Sequence, residues 1–440
     1  MRRSRLPSLV LSAAVGVVIL GGAPPVSASV DRASIKVETR YVLKTTLSFA
    51  AGTLSTTEKI VIRNTSGGPI SKVNLSVTPR AFDELTSIGR FTVDGRAVSA
   101  RWTNNSNLEL QLGRDLPVGS TATVRLSFAL QATGAIGTSL EARLSKANGI
   151  MQVSHWFPIV SDGHPTRYPG DAQHSRAAKK IRLELTTDSS AVRIAAPGTV
   201  VSSSGRSHVY EMTNTRDFAF GASPSYQIAA GSAAGVAVRA YYTTGSGTTA
   251  VQLTMAALAK YETKYGQYQW SRLVIAQTGR TGSGNEYPGI VFLGGPLFDD
   301  REEVAHEVAH QWWYAMAGND QLREPWLDEG LAEFTASYFF GTFEAYASSR
   351  PVNSSVDEFP NLPAPMTSDE PDSYNQTIYF KSARFLDGLR TRMGNSAFFD
   401  GLRDLFTANR NGMLTSRKFF NVMAGHGAPK AYMSLFIRLS

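Results

Sequence analysis

At 440 residues, with 42% hydrophobic and 18% charged positions, the chain has the balance of a folded soluble protein, and it is too long for one ordinary core; two or three domains are expected. It contains no cysteine, which excludes disulfide frameworks, thiolate metal sites and cysteine nucleophiles together, so any metal must be held by His, Asp or Glu. The formal charge is +8, part of it from Arg2, Arg3 and Arg5, and no basic run or basic amphipathic helix suggests a nucleic-acid partner.

Those three arginines precede a mainly apolar run over residues 6–20 and the small residues Val26-Ser27-Ala28. This is the layout of a cleavable signal peptide over 1–28. An uncleaved anchor is the alternative, but the run is shorter than the ~20 residues of a spanning helix. A secreted protein, or one on the exterior of the cell envelope, with no stable membrane insertion, is the expectation.

From about 29 to 230, short alternating stretches such as 59–63, 123–130 and 180–185 are separated by turn residues, with Asp94-Gly95 as a hairpin turn. An antiparallel β-sandwich or saddle is predicted there. The segment 228–237 is rich in Ala, Gly and Ser, which places a domain junction near 230. Beyond it the texture becomes helical. A helix is predicted over 249–265, ending at Gly266, then buried strands at 272–276 and 289–293, then mostly helices from Asp299 onward.

His306-Glu307-Val308-Ala309-His310 lies in this helical stretch, behind a capping-box-like Asp300-Arg301-Glu302-Glu303. Helical spacing puts His306 and His310 on one face, a turn apart, where both imidazoles can approach one metal. Zinc favours such ligands and keeps an open position for water in catalytic sites, and Glu307 is placed to accept that water's proton. Eighteen residues after His310 stands Glu329, in Trp326-Leu327-Asp328-Glu329-Gly330. Gly318-Asn319-Asp320 is expected to break the first helix and Pro325 to open a second that folds back and points Glu329 at the imidazoles. A His third ligand at 316 is excluded, because Trp313 and Met316 occupy the positions that layout needs. One turn on, Glu333 either bonds the second nitrogen of a ligating histidine or is solvated.

In this spacing, with Gln311-Trp312 following, the chain resembles the gluzincin aminopeptidases of family M-one, the alanyl aminopeptidase-like zinc metallopeptidases. Asp328 replaces the family's usual Asn. The resemblance implies a β-rich first domain followed by a thermolysin-like, mainly helical catalytic domain, here over 231–440. It also implies a compact form without the family's large helical C-terminal domain and with a more open cleft. Arg216-Asp217-Phe218-Ala219 is similar to a family segment near the end of the first domain. Tyr379, in Tyr379-Phe380-Lys381-Ser382-Ala383, corresponds to the family's catalytic tyrosine, which donates to the oxyanion. Glu286 matches the glutamate of the Gly-x-Met-Glu-Asn signature that binds a substrate's free amino terminus, although Ser283, Asn285 and Tyr287 replace its neighbours. For the second amine-binding position of the β domain, Gln152 is the weak candidate and is left unassigned.

The expected function is therefore hydrolysis of peptides, one zinc per chain, with removal of N-terminal residues resting on Glu286. A zinc endopeptidase of the same chemistry and a catalytically silent secreted binding module are the alternatives.

Overall fold

The computed structural model describes residues 36–133, 143–163, 175–280, 284–321, 323–342 and 375–436. The expected leader over 1–28 lies outside these residues, as do Gly282 and Ser283. No helix among the described residues is long and apolar enough to cross a membrane.

Alternation of buried and exposed side chains builds the first half. Val37–Ser48 and Thr53–Asn64 form a twelve-residue hairpin, with Tyr41, Leu43 and Leu47 facing inward against Ile60, Ile62 and Leu54. These strands lie at the middle of a nine-stranded sheet, flanked by Ala178–Thr187 in parallel and Thr121–Gln131 antiparallel. The predicted Asp-Gly turn is present, with φ of 50° at Asp94 and 82° at Gly95, the positive pair that a tight hairpin needs. Two four-stranded sheets complete the β-rich part. One of them carries Ile150–Val153 beside Phe220–Ser223.

The Ala-, Gly- and Ser-rich segment near 230 is itself a hairpin, Gln227–Ala233 with Val236–Tyr242. It opens a five-stranded sheet that continues through Arg272–Gln277 and Ile290–Leu293 to the edge strand Gly284–Tyr287. Gly247–Tyr265 packs on this sheet. Its start is fixed by Ser246, whose side chain accepts from the Thr249 N–H, and its end by Gly266 at φ 116°. Below the edge strand run the helices Arg301–Ala309 and Glu329–Phe340, packed on each other and followed by Asn375–Lys381, a π-helix, and Ser382–Met393.

One boundary departs from expectation. The first motif helix ends at Ala309, well before Gly318, and leaves through a wide turn in which Tyr314 takes φ 126°. Past Ala309 the backbone closes in wider turns, with the N–H groups of Ala315, Met316 and Ala317 donating to the carbonyls of His310, Gln311 and Trp312, and the buried Arg216 guanidinium ties this segment to others by donating to the carbonyls of Ala315 (3.2 Å), Ser175 (2.6 Å) and Gly412 (2.9 Å). Pro325 likewise opens a short 3-10 turn, Pro325–Leu327, and the second helix proper begins at Glu329.

Candidate active site

Asp300 caps the first motif helix by accepting from the N–H groups of Glu302 and Glu303, as its sequence predicts. His306 and His310 therefore project from one face, and the second helix brings Glu329 between them. The three donor atoms form a small triangle. His306 Nε2 to His310 Nε2 is 3.1 Å, and Glu329 Oε2 lies 3.3 Å from the first and 3.2 Å from the second. A tetrahedron of zinc–ligand bonds of ~2.0–2.1 Å has edges of about 3.3 Å, so this triangle fits one face of it. The donor set thus suits a zinc ion, with its fourth position left to the cleft.

The remaining nitrogens are fixed from behind. His306 Nδ1 meets Glu333 Oε2 at 3.1 Å, and Ser337 Oγ donates to the other oxygen of Glu333 at 3.1 Å. His310 Nδ1 lies 3.2 Å from the Trp313 carbonyl, a contact made possible by the early end of the helix. Each imidazole is thereby held with Nε2 toward the triangle. Tyr379, half-buried in the π-helix, stacks its ring on His306 with centroids 5.7 Å apart and planes 20° from parallel.

Glu307 is buried, and its Oε2 has no hydrogen-bond partner among the described residues. Burial, then the nearby Glu286 charge, pushes its carboxyl up to about 8 in the metal-free protein, against the opposing pull of His306 and His310. The edge strand passes directly over it: a Cβ on Gly284 would overlap the Glu307 carboxylate, so only a glycine lets this backbone approach without displacing the acid.

Glu286, two residues on from Gly284, points to the same side of the strand and is 9% exposed. Its Oε1 accepts from Gln321 Nε2 at 3.3 Å, and the same amide donates to Asp328 Oδ2. Asp328 is fully buried, with Oδ1 accepting from Asn319 at 2.8 Å. Burial and the adjoining Glu329 push its carboxyl well above the usual range. Gln311 ties the strand to the end of the first motif helix, its Nε2 donating to the Tyr287 carbonyl at 3.0 Å and its Oε1 accepting from the Gly289 N–H at 2.8 Å. Gln321, Asn319 and Gly284 carry no spacing signal that marks them in the sequence, and Gln311 is marked there only by the family resemblance. Gln152 stands elsewhere: its amide donates to Ser154 Oγ and Asn285 Oδ1, both at 3.3 Å, on the opposite face of the strand from Glu286.

Residues 300–434, which hold this whole constellation apart from the edge strand, match the peptidase family M1 domain. Endoplasmic reticulum aminopeptidase 1 from Homo sapiens is 29% identical over 119 residues, 22% of this chain and 12% of that protein's length. The fold is shared over far more of the chain. A mutant of the M1 zinc metallopeptidase from Deinococcus radiodurans superposes with a TM-score of 0.68 at 16% identity, covering 92% of this chain and 95% of that one. The same metallopeptidase bound to a Tyr-Ser-Ala substrate gives 0.66 at 17% identity, with 91% and 93% covered. Another of these structures is described as a two-domain M1 zinc metallopeptidase, in keeping with the β-rich and helical halves seen here.

Proposed function

We propose that the protein is a zinc-dependent peptidase that removes residues from the amino terminus of peptides. The observation that carries the zinc chemistry is the triangle of His306, His310 and Glu329 donors at 3.1–3.3 Å, with Glu307, whose Oε2 has no hydrogen-bond partner among the described residues, on the same helix. Zinc held there supplies Lewis acidity to the scissile carbonyl and makes a neighbouring water acidic. Glu307 accepts the proton of the attacking water and delivers it to the leaving amine. Its Oε2, without a partner among the described residues, suits that water's hydrogen bond. Tyr379 donates from its hydroxyl to the oxygen on which charge develops. Glu286 accepts from the substrate ammonium and so measures off the first residue.

The experiment is Glu307→Gln, assayed for zinc content and for hydrolysis of free and N-acetylated peptides. The expected variant keeps one zinc per chain and loses turnover by several orders of magnitude. Wild-type protein is expected to cleave only the unblocked peptide. Substantial turnover in the variant would refute the role of Glu307, and equal cleavage of the acetylated peptide would replace the exopeptidase assignment by an endopeptidase one.

A further inference from the structure

We propose that Arg143, in the β-rich half, is a positioning residue for peptide binding: it holds the Tyr287 hydroxyl and so fixes the edge strand that passes over Glu307. This rests on the peptidase function proposed above. The strand Gly284–Tyr287 turns one face to each half of the molecule. Gly284 and Glu286 face the motif helices, whereas Asn285 and Tyr287 face the β-rich half, where Gln152 donates to Asn285. Tyr287 is fully buried, and Arg143 donates to its hydroxyl from 144 positions away in the chain. The His155 ring stands edge-on to the Tyr287 ring with centroids 5.2 Å apart, and His155 Nδ1 lies 2.8 Å from Asp217 Oδ2.

Arg143 is anchored at one end and directed at the other. Its carbonyl accepts from both the N–H (2.9 Å) and the hydroxyl (2.6 Å) of Ser154, which holds its backbone in the β-rich half. Its guanidinium, with five N–H donors, is 5% exposed and has the Tyr287 hydroxyl as its one hydrogen-bond acceptor among the described residues. It forms no ion pair with a described carboxylate, and its Nε has no partner. A buried cation so sparsely bonded is costly, and an apolar side chain of that volume would join the two halves at least as well. Stability therefore does not account for an arginine at this position. What it supplies is a directed contact on the last residue of the strand. The backbone of that residue is fixed as well, the Tyr287 carbonyl accepting from Gln311, the residue after His310. The end of the strand is thus held from the β-rich half and from the motif helix at once, and Glu286 is carried between the two. Tyr287 is also a position where the chain departs from the signature it resembles, so the contact belongs to this sequence.

The test compares zinc-loaded wild type with Arg143→Met, Tyr287→Phe and the double variant, on trialanine and its N-acetylated form. Each single variant should raise KM for the peptide that wild type cleaves about 10-fold, with kcat and zinc content within about 2-fold, because the strand acts on binding while Glu307 and the metal ligands are untouched. The double variant should match the singles, since both remove one and the same contact. Hydrogen exchange read by mass spectrometry should be faster over 284–293 in Arg143→Met and unchanged over 329–340. An unchanged KM in Arg143→Met, KM effects that multiply in the double variant, or exchange over 284–293 equal to wild type overturns the inference. So does a fall in kcat and in the denaturant midpoint with KM unchanged, which would mark a role in folding alone. Exchange needs no turnover: if wild-type protein cleaves neither peptide, the peptidase function is refuted, and the exchange comparison still decides whether Arg143 holds the strand.

Discussion

Replacing Glu333 by Gln tests whether the carboxylate behind His306 tunes the metal site. The substitution keeps the shape and a carbonyl acceptor for His306 Nδ1, now 3.1 Å from Glu333 Oε2, but removes the charge. Across the imidazole, a divalent ion would sit about 7 Å from that carboxylate, and through an effective dielectric of ~40 the two interact by about 2 kcal/mol. Loss of a partner of this kind typically weakens metal affinity ~10–100-fold, about 1.4–2.7 kcal/mol, which agrees with the electrostatic figure. Zinc affinity, measured by competition with a chromophoric chelator, should therefore fall by one to two orders of magnitude. Activity at saturating zinc should change much less, because Glu307 and the three ligands are untouched. Equal zinc affinity in wild type and variant would refute the reasoning, and so would a collapse of turnover with affinity intact.

Tyr379→Phe keeps the ring stacked on His306 and removes only the hydroxyl; kcat is expected to fall ~10²–10³-fold with little change in zinc content, and a wild-type kcat would dismiss the oxyanion role. In the β-rich half, burial pushes the Glu84 carboxyl up to about 8, with the Leu144 backbone opposing, and its Oε1 has no partner among the described residues. The folded state thus holds a proton that the unfolded state releases near its ordinary range, so stability is lost as pH rises from about 4.5 to 8. At pH 7 that loss is of order 3 kcal/mol. Glu84→Gln should therefore be more stable than wild type at pH 7 and lose the advantage by pH 4.5; denaturant midpoints that differ equally at both pH values would count against it.

Local patterning carried much of this protein into view. Period-2 alternation marks the central strands, because one face of each must be buried. Helical spacing puts His306, Glu307 and His310 on adjoining positions of one turn, and the capped start at Asp300 is visible for the same local reason. The eighteen-residue gap to Glu329 is long enough for the chain to fold back. Near 230, small residues mark a change of texture but not its form: they build the hairpin Gln227–Ala233 with Val236–Tyr242, which pairing with Arg272–Gln277 extends into the five-stranded sheet.

What the sequence by itself laid out is the pairing of His306 with His310 and the adjoining acid Glu307, since these depend on the periodicity of one helix; Glu329 reaches them on a second helix packed against the first. Which side chains stand behind and beside that triad was decided only by packing between distant segments. Arg216, from the β-rich part, takes the Ala315 carbonyl in the wide turn after the motif helix, where His310 Nδ1 meets the Trp313 carbonyl. The alternation of one short strand sends Glu286 toward Asp328 and Asn285 toward Gln152. No spacing rule joins residues 42 positions apart such as Glu286 and Asp328; two faces of a folded core had to meet before the Gln321 amide could bridge them.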